Sequence, residues 1–288
     1  MVNWRLAPLL TMAVLVAGCS GSDQETSSST QSETAAEATT EEVVDDAADN
    51  VADEGDMTVT YEDATTPEAE NGRRILEDAE LLEVLATSVN DMFNLPNDVG
   101  LLGSQCDEPN AFWSPADQAV TICYEDADFA ETIFIEDGDP DPVDAALNVE
   151  IGSFFHEVGH MLIDIYDLPV TGREEDVADQ LAAFVMLAED ENGVVDPDSV
   201  KVIRDFAKEF RAFGEQEGEV GESQFAGGHS LNQTRMYNLL CWAYGADPQG
   251  NADIVDDGEL PAERAELCED EYAQVEYGWA TLLEPYVK

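Results

Sequence analysis

The stretch FFHEVGHMLI, residues 154–163, most constrains the fold, because it is apolar on nearly every side and still carries two imidazoles. His156 and His160 are two of the three histidines in a chain of 288 residues. Four residues is the spacing that puts neighbours on one face of a helix. Ile151, Phe154, Phe155, Val158 and Leu162 form an apolar stripe around them, so this helix is expected to be buried. Gly159 leaves room for a second backbone to come close. Two buried histidines need polar partners. A Zn²⁺ ion held by both meets that need, and Glu157, beside the first histidine, is placed to act on water at the ion as a general base.

A catalytic zinc takes three protein ligands and leaves a position for water. The third ligand has two possible sources. One is His229, the remaining histidine. The other is the carboxylate set of the next helix, in GREEDVADQLAAF (172–184), which follows the loop DLPVTG and turns the chain back toward the first helix. There Glu175 has Asp179 four residues on, whereas Glu174 has Ala178 and Asp176 has Gln180. Only Glu175 therefore brings a second carboxylate, one able to hold a histidine ligand in orientation. Glu174 reads as a first-turn acid complementing the helix dipole. Further on, FAGGHSLNQTRMYNLLCWAYG (225–245) sets His229 behind a glycine pair at the start of an apolar helix. His229 is a candidate for stabilising an oxyanion, with capping or packing as the alternative. Arg235 is a candidate either for a substrate carboxylate or for an ion pair with a carboxylate of the site. NAFWSP (110–115) reads as a rim loop beside a substrate-aligning edge strand, or as part of a disulfide-tied hairpin.

Charge removes some partners. The chain has 65 acidic and 11 basic residues, a formal −54. Such a surface repels phosphate backbones and anionic headgroups, so no nucleic acid is expected. Acidic residues stay dense from Glu125 to the C-terminus, and their repulsion is tolerable only when salt screens it. A halophile's protein is the expectation, against the alternative of a merely acidic secreted protein.

The first 18 residues have the form of a secretory signal: Arg5, then an apolar run from Leu6 to Ala17, too short to span a bilayer. Val16-Ala17-Gly18-Cys19 resembles the lipobox of bacterial lipoproteins, which implies acylation of Cys19 and a membrane contact through a lipid anchor. The protein is then expected to be exported and lipid-anchored to the cell envelope, facing the periplasm or exterior. Residues 19–56 read as the acylated cysteine and a disordered acidic tether, since they lack the apolar residues that would offset ordering entropy. Four cysteines remain: Cys106, Cys123, Cys241 and Cys268. An even number in an exported chain points to disulfides, and of three connectivities Cys106–Cys123 and Cys241–Cys268 are favoured because each pair is close in sequence.

Ordered structure is expected from Met57 to Lys288. MTVTYED (57–63) alternates as a strand. Thr66-Pro67 starts a helix expected to run unbroken to Phe93. DVGLLGSQ (98–105) and QAVTICYE (118–125) read as strands with a loop between them. After the acidic turn EDGDPDP, a long helix from Val143 carries the histidines, and helices are expected at 174–190, 197–214, 230–244 and 261–284. Strands first and helices later indicate an α+β domain, a small N-terminal sheet followed by a mainly helical part.

HEVGH followed by Glu175-x-x-x-Asp179 resembles the glutamate zincins, with a shorter interval between the motif and the glutamate. A closer resemblance is to a bacterial family of uncharacterised metallopeptidases, carried by NAFWSP, ICYE, HEVGHMLIDIYDLPVTGREEDVADQLA and HSLNQTRMYNLLCWAYG. It implies a zincin-like domain over 57–288 with one Zn²⁺ per chain and a peptide or protein substrate. By motif, it implies His156, His160 and Glu175 as ligands, Glu157 as base and Asp179 behind a histidine. The expectation is therefore a membrane-anchored extracytoplasmic zinc metallopeptidase. The alternative is a non-catalytic, metal-stabilised surface lipoprotein that binds partners.

Overall fold

The computed structural model describes residues 51–288 except Glu217 and Glu219. The expected signal sequence, Cys19 and the expected tether as far as residue 50 lie outside the described residues. Residues 51–56, expected to be disordered, are instead held to the domain by bonds from Glu54 N and Gly55 N to the Leu95 carbonyl and from Asp56 N to Asp98 Oδ1. No helix among those described is long and apolar enough to cross a membrane.

The chain opens with strand β1 (Met57–Tyr61) and enters helix α1 (Pro67–Asp78), where the Thr66 side chain caps by accepting from Ala69 N and Pro67 takes the first turn. The single helix expected over 66–93 is in fact two. Glu80 adopts a left-handed φ of 51°, and α2 (Leu81–Met92) starts in a new direction. The buried residues explain the break. α1 buries Ala69, Gly72, Ile75 and Leu76, and α2 buries Leu81, Leu82, Leu85, Ala86 and Val89. At about 100° per residue, the two stripes would lie roughly 120° apart on one straight helix. Turning the chain lets both face the core.

Next come β2 (Val99–Ser104), β3 (Ala111–Ser114) and β4 (Ala119–Cys123). The sheet order is β1-β2-β4-β3, with β1, β2 and β4 parallel and β3 antiparallel to β4. Residues expected to be a loop between two strands thus supply an edge strand, Ala111–Ser114, tied to β4 by a tight turn. The strand expected to reach 125 stops at Cys123. There it passes directly into helix α3 (Tyr124–Glu136), which the acid-rich sequence had hidden. The Cys106–Cys123 disulfide, with Cα atoms 5.5 Å apart, fastens the segment between β2 and β3 to the end of β4.

Helix α4 (Pro142–Ile165) runs through the centre, capped by the Asp141 side chain and buried along most of its length. Around it lie α5 (Glu174–Met186), α6 (Pro197–Gln216), the short α7 (Glu222–Ala226) and α8 (Asn232–Ala246). Then follow α9 (Asp253–Asp256), α10 (Ala262–Ala265) and α11 (Cys268–Leu283). The helix expected over 261–284 is thus interrupted after Ala265, and the long one resumes at Cys268, whose disulfide to Cys241 ties α11 to α8. A small mixed sheet followed by packed helices is an α+β arrangement. Gly159 has the role its position suggested: a Cβ there would stand 2.8 Å from the Ala178 Cα, so glycine is what lets α5 lie against α4 at this level.

Candidate metal centre

Because α4 and α5 cross closely at Gly159, the histidines of one face the acids of the other. His156 Nε2 and His160 Nε2 are 3.3 Å apart. Glu175 Oε2 stands 3.3 Å from the first and 3.4 Å from the second. Among the described residues, His156, His160 and Glu175 form the group of three or more potential ligands whose donor atoms all fall within 4.8 Å, a cluster compatible with a metal ion. Glu175 Oε2 is buried and accepts no hydrogen bond. Two imidazole nitrogens and a carboxylate oxygen pointing at one another repel unless a proton or a metal cation sits among them.

The far nitrogens fix this orientation. His156 Nδ1 is 2.8 Å from Asp179 Oδ1, and His160 Nδ1 is 2.8 Å from Glu174 Oε1. A carboxylate accepts, so each imidazole donates from Nδ1 and turns Nε2 toward its neighbours. Burial would raise the Asp179 carboxyl, but Arg235 and then His156 outweigh it and hold it at about 2. Burial alone would also raise Glu175, yet the three histidines around it hold it well below the carboxylate range. For His160, burial lowers the imidazole, but the neighbouring carboxylates of Glu175 and Glu174 more than reverse this, raising it to about 9.

Spacing along one helix assigned Asp179 its place and gave Glu174 none beyond the helix dipole. The structure puts Glu174 on His160 as Asp179 is put on His156. That contact crosses between helices, and no i to i+4 rule reveals it.

Glu157 is also buried, and its Oε2 accepts a 2.7 Å hydrogen bond from the Trp113 backbone N–H of β3. The pairing of β3 with β4 uses Asn110, Phe112 and Ser114, so Ala111 and Trp113 present their backbone groups to the cleft. The NAFWSP segment is therefore both an edge strand and part of a disulfide-tied hairpin. Its signal in the sequence was the alternation of AFWS, too short to separate from a loop.

His229 comes from the loop after α7, is 64 % exposed, and sets Nε2 3.0 Å from Glu175 Oε2. Arg173 positions that loop by donating from Nη1 to the carbonyls of Gly227, Gly228 and His229 at 3.0, 3.2 and 2.8 Å. Ser230 Oγ adds a bond to Asp176 Oδ2. Arg173 was not singled out in the sequence, where nothing ties it to a loop more than fifty residues away. Arg235 pairs with a site carboxylate: Nε donates to Asp179 Oδ2 at 2.7 Å and Nη2 to Oδ1 at 2.6 Å, with its guanidinium 3.9 Å above the Phe210 ring. The centre opens into a cleft of about 520 Å³ that also reaches Trp113, Glu209 and Arg235.

No functionally curated protein and no solved structure matches the chain. A protein family does, over residues 61–283, which take in strands β2 to β4, the paired helices and every side chain of the centre described above. The chain belongs to that family, DUF4344, whose description is "Putative metallopeptidase".

Proposed function

We propose that the protein is a zinc metallopeptidase, lipid-anchored through Cys19 and facing the outside of the membrane, with His156, His160 and Glu175 as ligands and Glu157 as general base. The observation that carries this reading is the spacing of the three donors. Atoms held about 2.0–2.2 Å from one ion at tetrahedral angles stand about 3.3–3.6 Å apart. The three separations here are 3.3, 3.3 and 3.4 Å. Two nitrogens and one oxygen also suit zinc chemically, and three protein ligands leave a position free.

Zinc bound there polarises a carbonyl and makes a neighbouring water acidic near neutral pH. The rest is done by the chain. Glu157, beside His156, takes a proton from water attacking the scissile carbonyl and later delivers it to the leaving amine. Trp113 N–H holds one oxygen of that carboxylate still, leaving the other for the proton. The outward backbone groups of Ala111, with the Trp113 carbonyl, receive an extended peptide as an added strand. His229, on its arginine-held loop, donates to the developing oxyanion. Asp179 and Glu174 keep the histidines turned, and Arg235 keeps Asp179 in place. The acidic surface fits a protein that works in high salt.

The test is Glu157→Gln, assayed against a peptide library. An amide oxygen still accepts from Trp113 N–H but cannot take the proton. Metal content and folding should be unchanged, and turnover should fall about a hundredfold to ten-thousandfold. Wild-type protein that cleaves peptides, with a variant that cleaves them equally well, rules the mechanism out. Wild-type protein that binds zinc and cleaves nothing in a broad library favours the binding-protein alternative.

A further inference from the structure

Beside the metal centre the cleft runs on into a pocket that the reaction above leaves unused. Asp126 of α3, Ser153 of α4 and Glu209 of α6 line it, together with Phe206, Phe210 and Phe213 from one face of α6. Glu150, one turn before Ser153 on α4, adds a third carboxyl that repels both Asp126 and Glu209. Asp126, Glu150 and Glu209 are 3 %, 0 % and 2 % exposed. Both oxygens of Glu150, and Oε1 of Glu209, have no hydrogen-bond partner among the described residues.

Burial of unpaired acids is costly, and apolar side chains would pack these helices with less strain on the fold. Burial, then the charges of Asp126 and Glu209, pushes Glu150 well above the usual carboxylate range. Burial and Glu157 push Asp126 up to about 7. Arg235 attracts Glu209, but its Nε and Nη2 are already engaged by Asp179. Nor do the three acids have the spacing of a metal site: among the described residues, the group within ligand distance is His156, His160 and Glu175. What the pocket lacks is a cation on a long apolar stem.

We propose that this pocket receives a lysine or arginine side chain of the peptide substrate, with Glu209 and Asp126 on its wall setting that specificity and Glu150 adding negative charge behind them. The proposal rests on the peptidase reading for its substrate class. The phenylalanines pack along the aliphatic stem, and the carboxyls meet its charged end and ionise on doing so. The placement suits a residue close to the scissile bond. Glu150, Ser153 and Glu157 follow one another at intervals of three and four on the same face of α4, about 10 Å from first to last.

The experiment uses the full chain loaded with zinc and two capped peptides, acetyl-Gly-Gly-Lys-Gly-Gly-amide and the same peptide with norleucine at the centre. Binding is read from tryptophan fluorescence, since Trp113 borders the cleft. The lysine peptide should bind about tenfold tighter or better. Glu209→Gln and Asp126→Asn should each erase most of that preference. Each variant should unfold at or above the wild-type temperature, because an unpaired buried acid has been removed. Should one fail to fold, the other carries the same comparison. Equal binding of the two peptides by wild-type protein, or a preference that survives both variants, overturns the assignment. A peptide library separates this from the reading beneath it. Cleavage with no basic preference beside the cut bond sinks the pocket and leaves the peptidase. A Glu209-dependent lysine preference without any cleavage sinks the peptidase and leaves the pocket.

Discussion

Asp179 joins α5 to His156 of α4 and Arg235 of α8, and Asp179→Ala separates what it does for the fold from what it does for the metal. It is 1 % exposed and holds three bonds: two from Arg235 at 2.7 and 2.6 Å and one from His156 at 2.8 Å. Arg235 is itself only 6 % exposed, so water replaces the lost partner poorly. Breaking a buried pair by deleting one partner costs about 3–5 kcal/mol, most of it the stranded charge. Urea unfolding of metal-free protein at constant salt measures this without the stabilisation that bound metal would add. Adding Arg235→Leu removes the stranded charge, so the double variant should recover at least roughly half of the loss. Metal affinity should behave otherwise. Asp179→Ala frees His156 to rotate and should weaken zinc binding about ten- to a hundredfold. The double variant should not restore it, because Nδ1 still has no acceptor. A loss of stability below about 1 kcal/mol, or a double variant as unstable as the single one, refutes the argument from buried charge.

If Glu175 is a ligand, Glu175→Gln should weaken zinc binding far more than Glu174→Gln, whose contact is with His160 Nδ1; titration against a zinc-competing dye compares them, and equal losses would remove the distinction. Glu174→Gln should still cost up to about tenfold, as a partner of a histidine ligand does. Asp126 bears on pH. Burial, then Glu157, raises its carboxyl from an ordinary value near 4 to about 7, so between those values the folded state holds the proton that the unfolded state has released. Stability should therefore fall as pH rises from about 4 to 7. Asp126→Asn should flatten that slope in thermal unfolding at fixed salt, and an unchanged slope would show the acid is not strained. The domain without residues 1–56 should unfold at a temperature that rises toward molar salt, because its own acids need screening; a midpoint that does not move would remove the halophile argument.

What the sequence determined by itself was local. The HEVGH helix, its buried stripe and the close approach at Gly159 follow from the 3.6-residue period, which puts i and i+4 side by side whatever lies around them. The order of a small sheet before helices, and the two disulfide pairs, were likewise readable from periodicity and from short spacing along the chain. Tertiary structure decided the rest. The break at Glu80 comes from two apolar stripes finding one core, and neither stripe alone foretells it. Helix α3 is hidden because its first-turn acids, Glu125 and Asp126, look solvated and are in fact buried. The bond from Trp113 to Glu157, the grip of Glu174 on His160 and the choice of Asp179 by Arg235 all join separate elements. Sequence spacing fixes which side chains share a face, whereas packing alone fixes which face they meet, and this centre is assembled across such meetings.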